Sequence, residues 1–112
     1  MIDGIGIDIV ERLEFEKLCT QGFVEKYFVN EEKGLPVEKL ASRFAAKEAF
    51  FKAFNNSLAF RWEDVEITSS IDGAPEFKFH NNLFQLMSNK KTHLSISYSK
   101  DNILAVVIIV KQ

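Results

Sequence analysis

Gly4-Ile5-Gly6-Ile7-Asp8-Ile9-Val10-Glu11 sets the frame for the whole chain. Ile5, Ile7 and Ile9 alternate with Gly4, Gly6 and Asp8, and a period of two is the signature of a strand, here running from Met1 to Glu11. One face of that strand is aliphatic. The other is nearly bare of side chains and carries a single carboxylate. Two glycines weaken a strand, and the usual compensation is the close approach of a ligand or another backbone. The glycines do not form a dinucleotide fingerprint: Gly4-x-Gly6 sits inside the strand, lacks a third glycine and does not open a helix.

The strongest helical pattern lies at Glu38 to Phe54. Leu40, Phe44, Phe51 and Phe54 recur at helical spacing among five alanines. Between strand and helix, Arg12 to Tyr27 reads as helical and broken at Gly22. Asn30 is placed to cap a turn holding Glu31 and Glu32, and Gly34 and Pro36 mark a loop. After the long helix, Asn55-Asn56-Ser57 is a stop. Val65 to Ser69 and Glu76 to Phe79 read as strands joined by Ile71-Asp72-Gly73-Ala74-Pro75, and Asn81 to Ser88 as a short helix. Leu94 to Ser99 alternates again, Ser99-Lys100-Asp101-Asn102 is a hairpin turn, and Ile103 to Val110 is apolar on both faces. A strand of that kind needs cover on both sides, from a helix layer and from something else, which in a chain of 112 residues can be another subunit. The expected class is α+β: one domain over residues 1–112, mostly antiparallel, with one long helix packed on the sheet.

A net charge of −2 argues against a general nucleic-acid binder while leaving room for a local basic patch. Cys19 is the single cysteine, so neither an internal disulfide nor a multi-cysteine metal site can form; it has no evident activating partner and reads as structural. No basic segment leads into a long apolar run at the start, and the eight residues Ile103 to Val110 are too few to span a bilayer, so a cytoplasmic setting is expected. Eleven phenylalanines are many for this length; some belong in the core and some on a surface that another subunit covers.

Candidate chemistry begins with Asp8, Glu48 and Lys52. Taken alone, Asp8 reads first as a strand-edge carboxylate in water. Glu48 and Lys52, four apart on one helix face, read first as an exposed ion pair worth about 0.2–0.5 kcal/mol. If the helix lies over the glycine face, however, Asp8 and Glu48 converge. Two carboxylates without histidine or cysteine suit a hard cation, magnesium above all, which keeps places for water and phosphate oxygens. Lys52, one turn on, would then be placed to meet a phosphate; Arg43 adds charge to the same helix, and Lys47 points elsewhere. His80 and His93 are too isolated for a metal site.

Three segments together resemble the holo-acyl-carrier-protein synthase family, the small 4′-phosphopantetheinyl transferases: Gly4 to Glu11, the run Arg43-Phe44-Ala45-Ala46-Lys47-Glu48-Ala49-Phe50-Phe51-Lys52-Ala53-Phe54, and Leu94-Ser95-Ile96-Ser97-Tyr98-Ser99 with the apolar strand after it. Trp62 to Ile67 and Gly73-Ala74-Pro75 fit the family's middle section. The resemblance implies transfer of the 4′-phosphopantetheine arm of coenzyme A to a serine of apo-acyl carrier protein, leaving adenosine 3′,5′-bisphosphate. It implies magnesium held by Asp8 and Glu48, with Lys52 near the coenzyme A phosphates. It places Arg43, Asn55, Asn56, Ser57, Ser97, Tyr98 and Ser99 as further coenzyme-binding positions, and implies a homotrimer with active sites between subunits. Two departures stand out. Asn55-Asn56-Ser57 replaces the family's glycine-rich turn, and Tyr98 stands where histidine is common, so positive charge is lost there. The stretch between first strand and long helix is also shorter than usual, in the region that docks the carrier protein, with Arg12 and Lys17 as contacts or simply as solvated charges. The alternative these departures carry is a non-catalytic relative that binds coenzyme A or carrier protein.

Overall fold

The computed structural model describes residues 1–54 and 61–112. The order is β1 (Ile2–Glu11), α1 (Arg12–Leu18), α2 (Gln21–Tyr27), α3 (Val37–Ala53), a 3-10 turn at Trp62–Asp64, β2 (Val65–Ser69), β3 (Pro75–Phe79), α4 (Asn82–Leu86), β4 (Lys90–Tyr98) and β5 (Asn102–Lys111). β5 lies between β1 and β4 in an antiparallel three-stranded sheet, and β2 pairs with β3 in a separate antiparallel hairpin. The α+β class and the single long helix match the expectation. The Arg12 to Tyr27 pattern is two helices, and the break falls at Cys19–Thr20 rather than at Gly22, which lies inside α2. Thr20 causes it: its hydroxyl accepts from the Phe23 N–H at 3.3 Å and starts a new helix.

α3 lies directly on β1, and the glycines allow it. A Cβ placed on Gly4 would collide with the Ala53 carbonyl oxygen, and one on Gly6 with that of Ala49. The strand step from Gly4 to Gly6 is about 6.8 Å, and the helix step from Ala49 to Ala53 about 6 Å, so each glycine meets one turn. The pairing of Gly4 with Ala53 and Gly6 with Ala49 makes helix and strand antiparallel. The bare glycine face is therefore filled by another backbone.

The sheet register separates two faces. Gly6, Val107 and Leu94 lie across from one another, as do Asp8, Ala105 and Ile96; this face packs on α3, and Ala105, Val107 and Ile109 are buried. The opposite face carries Ile5, Ile7 and Ile9 of β1 with Leu104, Val106 and Ile108 of β5. Ile5, Ile7 and Ile9 remain 60%, 55% and 63% exposed. Among the described residues, helix cover thus arrives on one side only.

The phenylalanines are internal rather than spread over that open face. Phe15, Phe28, Phe50 and Phe54 are buried, and Phe23, Phe44, Phe51, Phe77 and Phe79 pack against them. Phe50 lies 5.4 Å from Phe54 and 5.1 Å from Phe79 between ring centroids, joining α3 to the hairpin. The open patch is isoleucine, and among the described phenylalanines the exposed one is Phe84.

Candidate active site

Because β1 and α3 run antiparallel, Asp8 follows Gly6 on the packed face while Glu48 precedes Ala49 on the helix. The two carboxylates are brought together by that geometry. Burial and then the Asp8 charge push the Glu48 carboxyl above its ordinary range, with Lys52 opposing. Lys52 Nζ donates to Asp8 Oδ1 at 2.9 Å and to the Ile7 carbonyl at 3.1 Å, while its stem stays largely exposed. An ammonium group thus already offsets part of the charge at the point where the carboxylates meet.

The two carboxylates border a cleft of about 280 Å³ between β1, α1 and α3, lined by Asp8, Glu11, Glu14 and Glu48 with Phe15, Leu18 and Phe44 among the apolar residues. The donor set is oxygen only, which suits a hard divalent ion. Among the described residues no group of three or more histidine, cysteine or acidic side chains is arranged to hold a metal. A cation held by Asp8 and Glu48 would have two protein side chains and keep its remaining positions for water and phosphate, the mode magnesium favours. Glu11 and Glu14 escaped the sequence reading. Their signal, a carboxylate at the strand-to-helix junction, is shared by any capped helix, and Glu11 does cap α1 by accepting from Leu13 N–H at 3.0 Å.

Arg43 and Tyr98 lie elsewhere. Arg43 and Glu48 are five positions apart, a turn of about 140° around the helix, so they face different ways. Arg43 and Tyr98 border a second cleft of about 300 Å³, between the N-terminal half of α3 and the β2–β3 hairpin, with Ser42, Ile67, Thr68 and Pro75. Ser97 pairs with Leu104 and so lies on the open sheet face, whereas Tyr98 pairs with Ile103 on the other. Ser99 is occupied by the hairpin: its hydroxyl accepts from Asn102 N–H at 3.2 Å and its N–H donates to the Asn102 carbonyl at 2.9 Å. Asn55, Asn56 and Ser57 lie outside the described residues. The expected site residues thus divide between two clefts, an open face and a turn.

Lys47 is fully buried against Glu32, which is 1% exposed, at 2.7 Å. The turn containing Asn30 forms, since its carbonyl accepts from Lys33 N–H, but Glu32 points inward instead of decorating it. His80 meets Glu66 at 2.8 Å, and His93 is exposed on β4. Burial pushes the Cys19 thiol up, as suits an unreactive cysteine.

Comparison with known proteins adds to this geometry. The model of the 4′-phosphopantetheinyl transferase superfamily matches residues 4–107. The holo-[acyl-carrier-protein] synthase of Leifsonia xyli subsp. xyli is 38% identical, over 98% of this chain and 96% of its own. The crystal structure of holo-[acyl-carrier-protein] synthase from Neisseria meningitidis superposes with a TM-score of 0.84 at 32% identity, covering 99% of this chain and 100% of that one. The synthase from Bacillus anthracis str. Ames, solved in complex with CoA (3′,5′-ADP), gives 0.80 at 32% identity over 100% and 99% of the two chains.

Proposed function

Because the chain belongs to the 4′-phosphopantetheinyl transferase superfamily, as an enzyme of the holo-[acyl-carrier-protein] synthase type, we propose that it moves the 4′-phosphopantetheine arm of coenzyme A onto a serine of apo-acyl carrier protein in a magnesium-dependent reaction. The observation that carries the chemical part is the meeting of Asp8, Glu48 and Lys52 over the glycine face of β1.

In this reading the serine hydroxyl attacks the phosphorus bonded to pantetheine. The bond from that phosphorus to the bridging oxygen of the pyrophosphate breaks, and adenosine 3′,5′-bisphosphate leaves with the electron pair. Such transfers depend mainly on positioning and charge neutralisation. Magnesium, which Asp8 and Glu48 would hold, would supply positive charge to offset the negative charge that builds up as the pyrophosphate breaks. Lys52, whose stem is exposed, would turn its ammonium from Asp8 onto a phosphate oxygen. Glu48, whose carboxylate burial and then Asp8 make a stronger base than an ordinary one, is a suitable acceptor for the serine proton, directly or through water.

Arg43 and Tyr98 would grip the nucleotide end of coenzyme A in the second cleft. That cleft and the Asp8–Glu48 cleft are lined by separate residue sets within one chain. An assembly in which one copy's Asp8 and Glu48 face a neighbour's Arg43 and Tyr98 would unite them. The uncovered isoleucine face supports such an assembly, and a homotrimer with sites between subunits is the form we propose.

The test is mass spectrometry of apo-acyl carrier protein incubated with this protein, coenzyme A and magnesium. The expected product has gained one phosphopantetheine, and chelation of magnesium stops the gain. An unmodified carrier protein in the complete mixture would overturn the proposal, and undiminished transfer by Asp8→Ala or Glu48→Ala would overturn the metal assignment.

A further inference from the structure

Glu32 sits on the turn before α3, buried, with every neighbour a donor. Its Oε1 accepts from Lys47 Nζ at 2.7 Å and from Val29 N–H at 3.0 Å. Its Oε2 accepts from Ile67 N–H at 3.1 Å and lies 4.0 Å from an Arg43 guanidinium nitrogen. Lys47 is held in turn by the Tyr27 carbonyl at 2.9 Å and lies over the Phe28 ring. The carboxylate therefore ties the α2–α3 connection to the middle of α3 and to β2, which is distant in sequence.

Two of those contacts matter for the second cleft. Arg43 belongs to its helical wall and Ile67 to its hairpin wall. Among the described residues β2 pairs with β3 alone, and the Ile67 N–H faces away from that strand to Glu32. A single oxygen thus bonds one side of the opening and stands within ion-pair distance of the other. The charge balance fits as well: Lys47 and Arg43 present two cations to one carboxylate, so Arg43 keeps positive charge for an anion in the cleft. Glu66, the other acid acting on Lys47, is tied to His80 and stands behind β2.

We propose that Glu32 is a positioning residue for coenzyme A. Fixed by Lys47, it sets the separation of Arg43 from the β2–β3 hairpin and so the width of the cleft that takes the nucleotide. This rests on the transferase reading above. Glu32 is too deeply buried to touch substrate, so it acts through Arg43 and Ile67.

Glu32→Gln is the sharpest test. It keeps the shape but turns an NH₂ group toward neighbours that are themselves donors. Glu32→Asp keeps the charge beside Lys47 yet withdraws it from Ile67 by one methylene, and serves if the glutamine variant does not fold. Either variant is expected to raise KM for coenzyme A roughly three- to tenfold, the scale of one lost hydrogen bond, with kcat changed much less, and to weaken coenzyme A binding by calorimetry in parallel. Leu83→Ala, a buried change on α4, supplies the control: it lowers thermal stability and is expected to leave KM unchanged. A KM that tracks stability alike in all three variants, or stays unchanged in both Glu32 variants, would overturn the proposal. Failure of the transferase reading shows separately, as a parent protein that neither transfers the arm nor binds coenzyme A; that result would remove this proposal too.

Discussion

Gly6 lies so close beneath Ala49 that a Cβ on the glycine would occupy the place of the helix carbonyl oxygen. Everything at the candidate site follows from that contact. It sets the distance between β1 and α3, and hence the distance from Asp8 to Glu48 and Lys52.

Replacing Gly6 with alanine should therefore do harm far beyond a usual strand substitution. The obstacle is backbone, which cannot rotate away, and overpacking of this sort costs about 1–3 kcal/mol or more. Urea denaturation should show that loss, and the transferase rate should fall with it because the carboxylates move apart. A Gly6→Ala protein as stable as its parent would mean that α3 rides higher on the strand.

Glu48 should trade stability against function. Its carboxyl is raised above the ordinary 4.5 by burial first, then by Asp8, against the pull of Lys52. A raised group binds its proton better folded than unfolded, so its contribution is full below pH 4.5 and fades as the pH climbs through the folded value. Glu48→Gln, which cannot ionise, should melt higher than the parent at neutral pH and lose that advantage in acid, while transferring nothing. Thermal melts across the acid range read the outcome, and an advantage independent of pH would contradict it.

Magnesium should raise the melting temperature of the parent and not of Glu48→Gln. At a free concentration tenfold above its Kd, a folded-state ligand contributes about 1.4 kcal/mol. Sodium at equal ionic strength controls for screening. Equal stabilisation of parent and variant would place the cation elsewhere.

Ile7→Lys addresses the open face. Ile7 is 55% exposed in the single chain, so the substitution should leave the fold intact. If three copies bury this face, lysine there should yield monomers by light scattering and abolish transfer, because each cleft would lose its neighbour. A variant that stays oligomeric and active would assign the face another role.

Tyr98→His would restore a titratable cation beside the second cleft. KM for coenzyme A should fall below about pH 6.5, where imidazole is charged, and return to the parental value in mild alkali. A KM unaffected at every pH would separate position 98 from the phosphates.

Most of the element order was legible in the chain, because periodicity is a local property. The alternation of Ile5, Ile7 and Ile9, the alanine-rich run of α3 and the doubly apolar β5 each name their own structure. Local chemistry also misled. Gly22 reads as a breaker, yet an exposed glycine is tolerated within α2, and the Thr20 hydroxyl two residues earlier ended one helix by starting the next. Glu32 reads only as part of a turn and Lys47 only as pointing away from Glu48 and Lys52, and their distant partners alone show the buried pair.

Sequence by itself determined that β1 has one bare face and one aliphatic face, that a carboxylate stands on the bare one, and that Glu48 and Lys52 share a helix face. Those are consequences of fixed repeats, two residues in a strand and 3.6 in a helix. Tertiary structure decided which object fills the bare face and in which direction it runs. α3 antiparallel to β1 puts Glu48 beside Asp8 and turns Arg43 away toward the hairpin, and it leaves the isoleucines, not the phenylalanines, without cover. Packing between distant segments depends on shape and on which backbones can touch, and no local repeat encodes that.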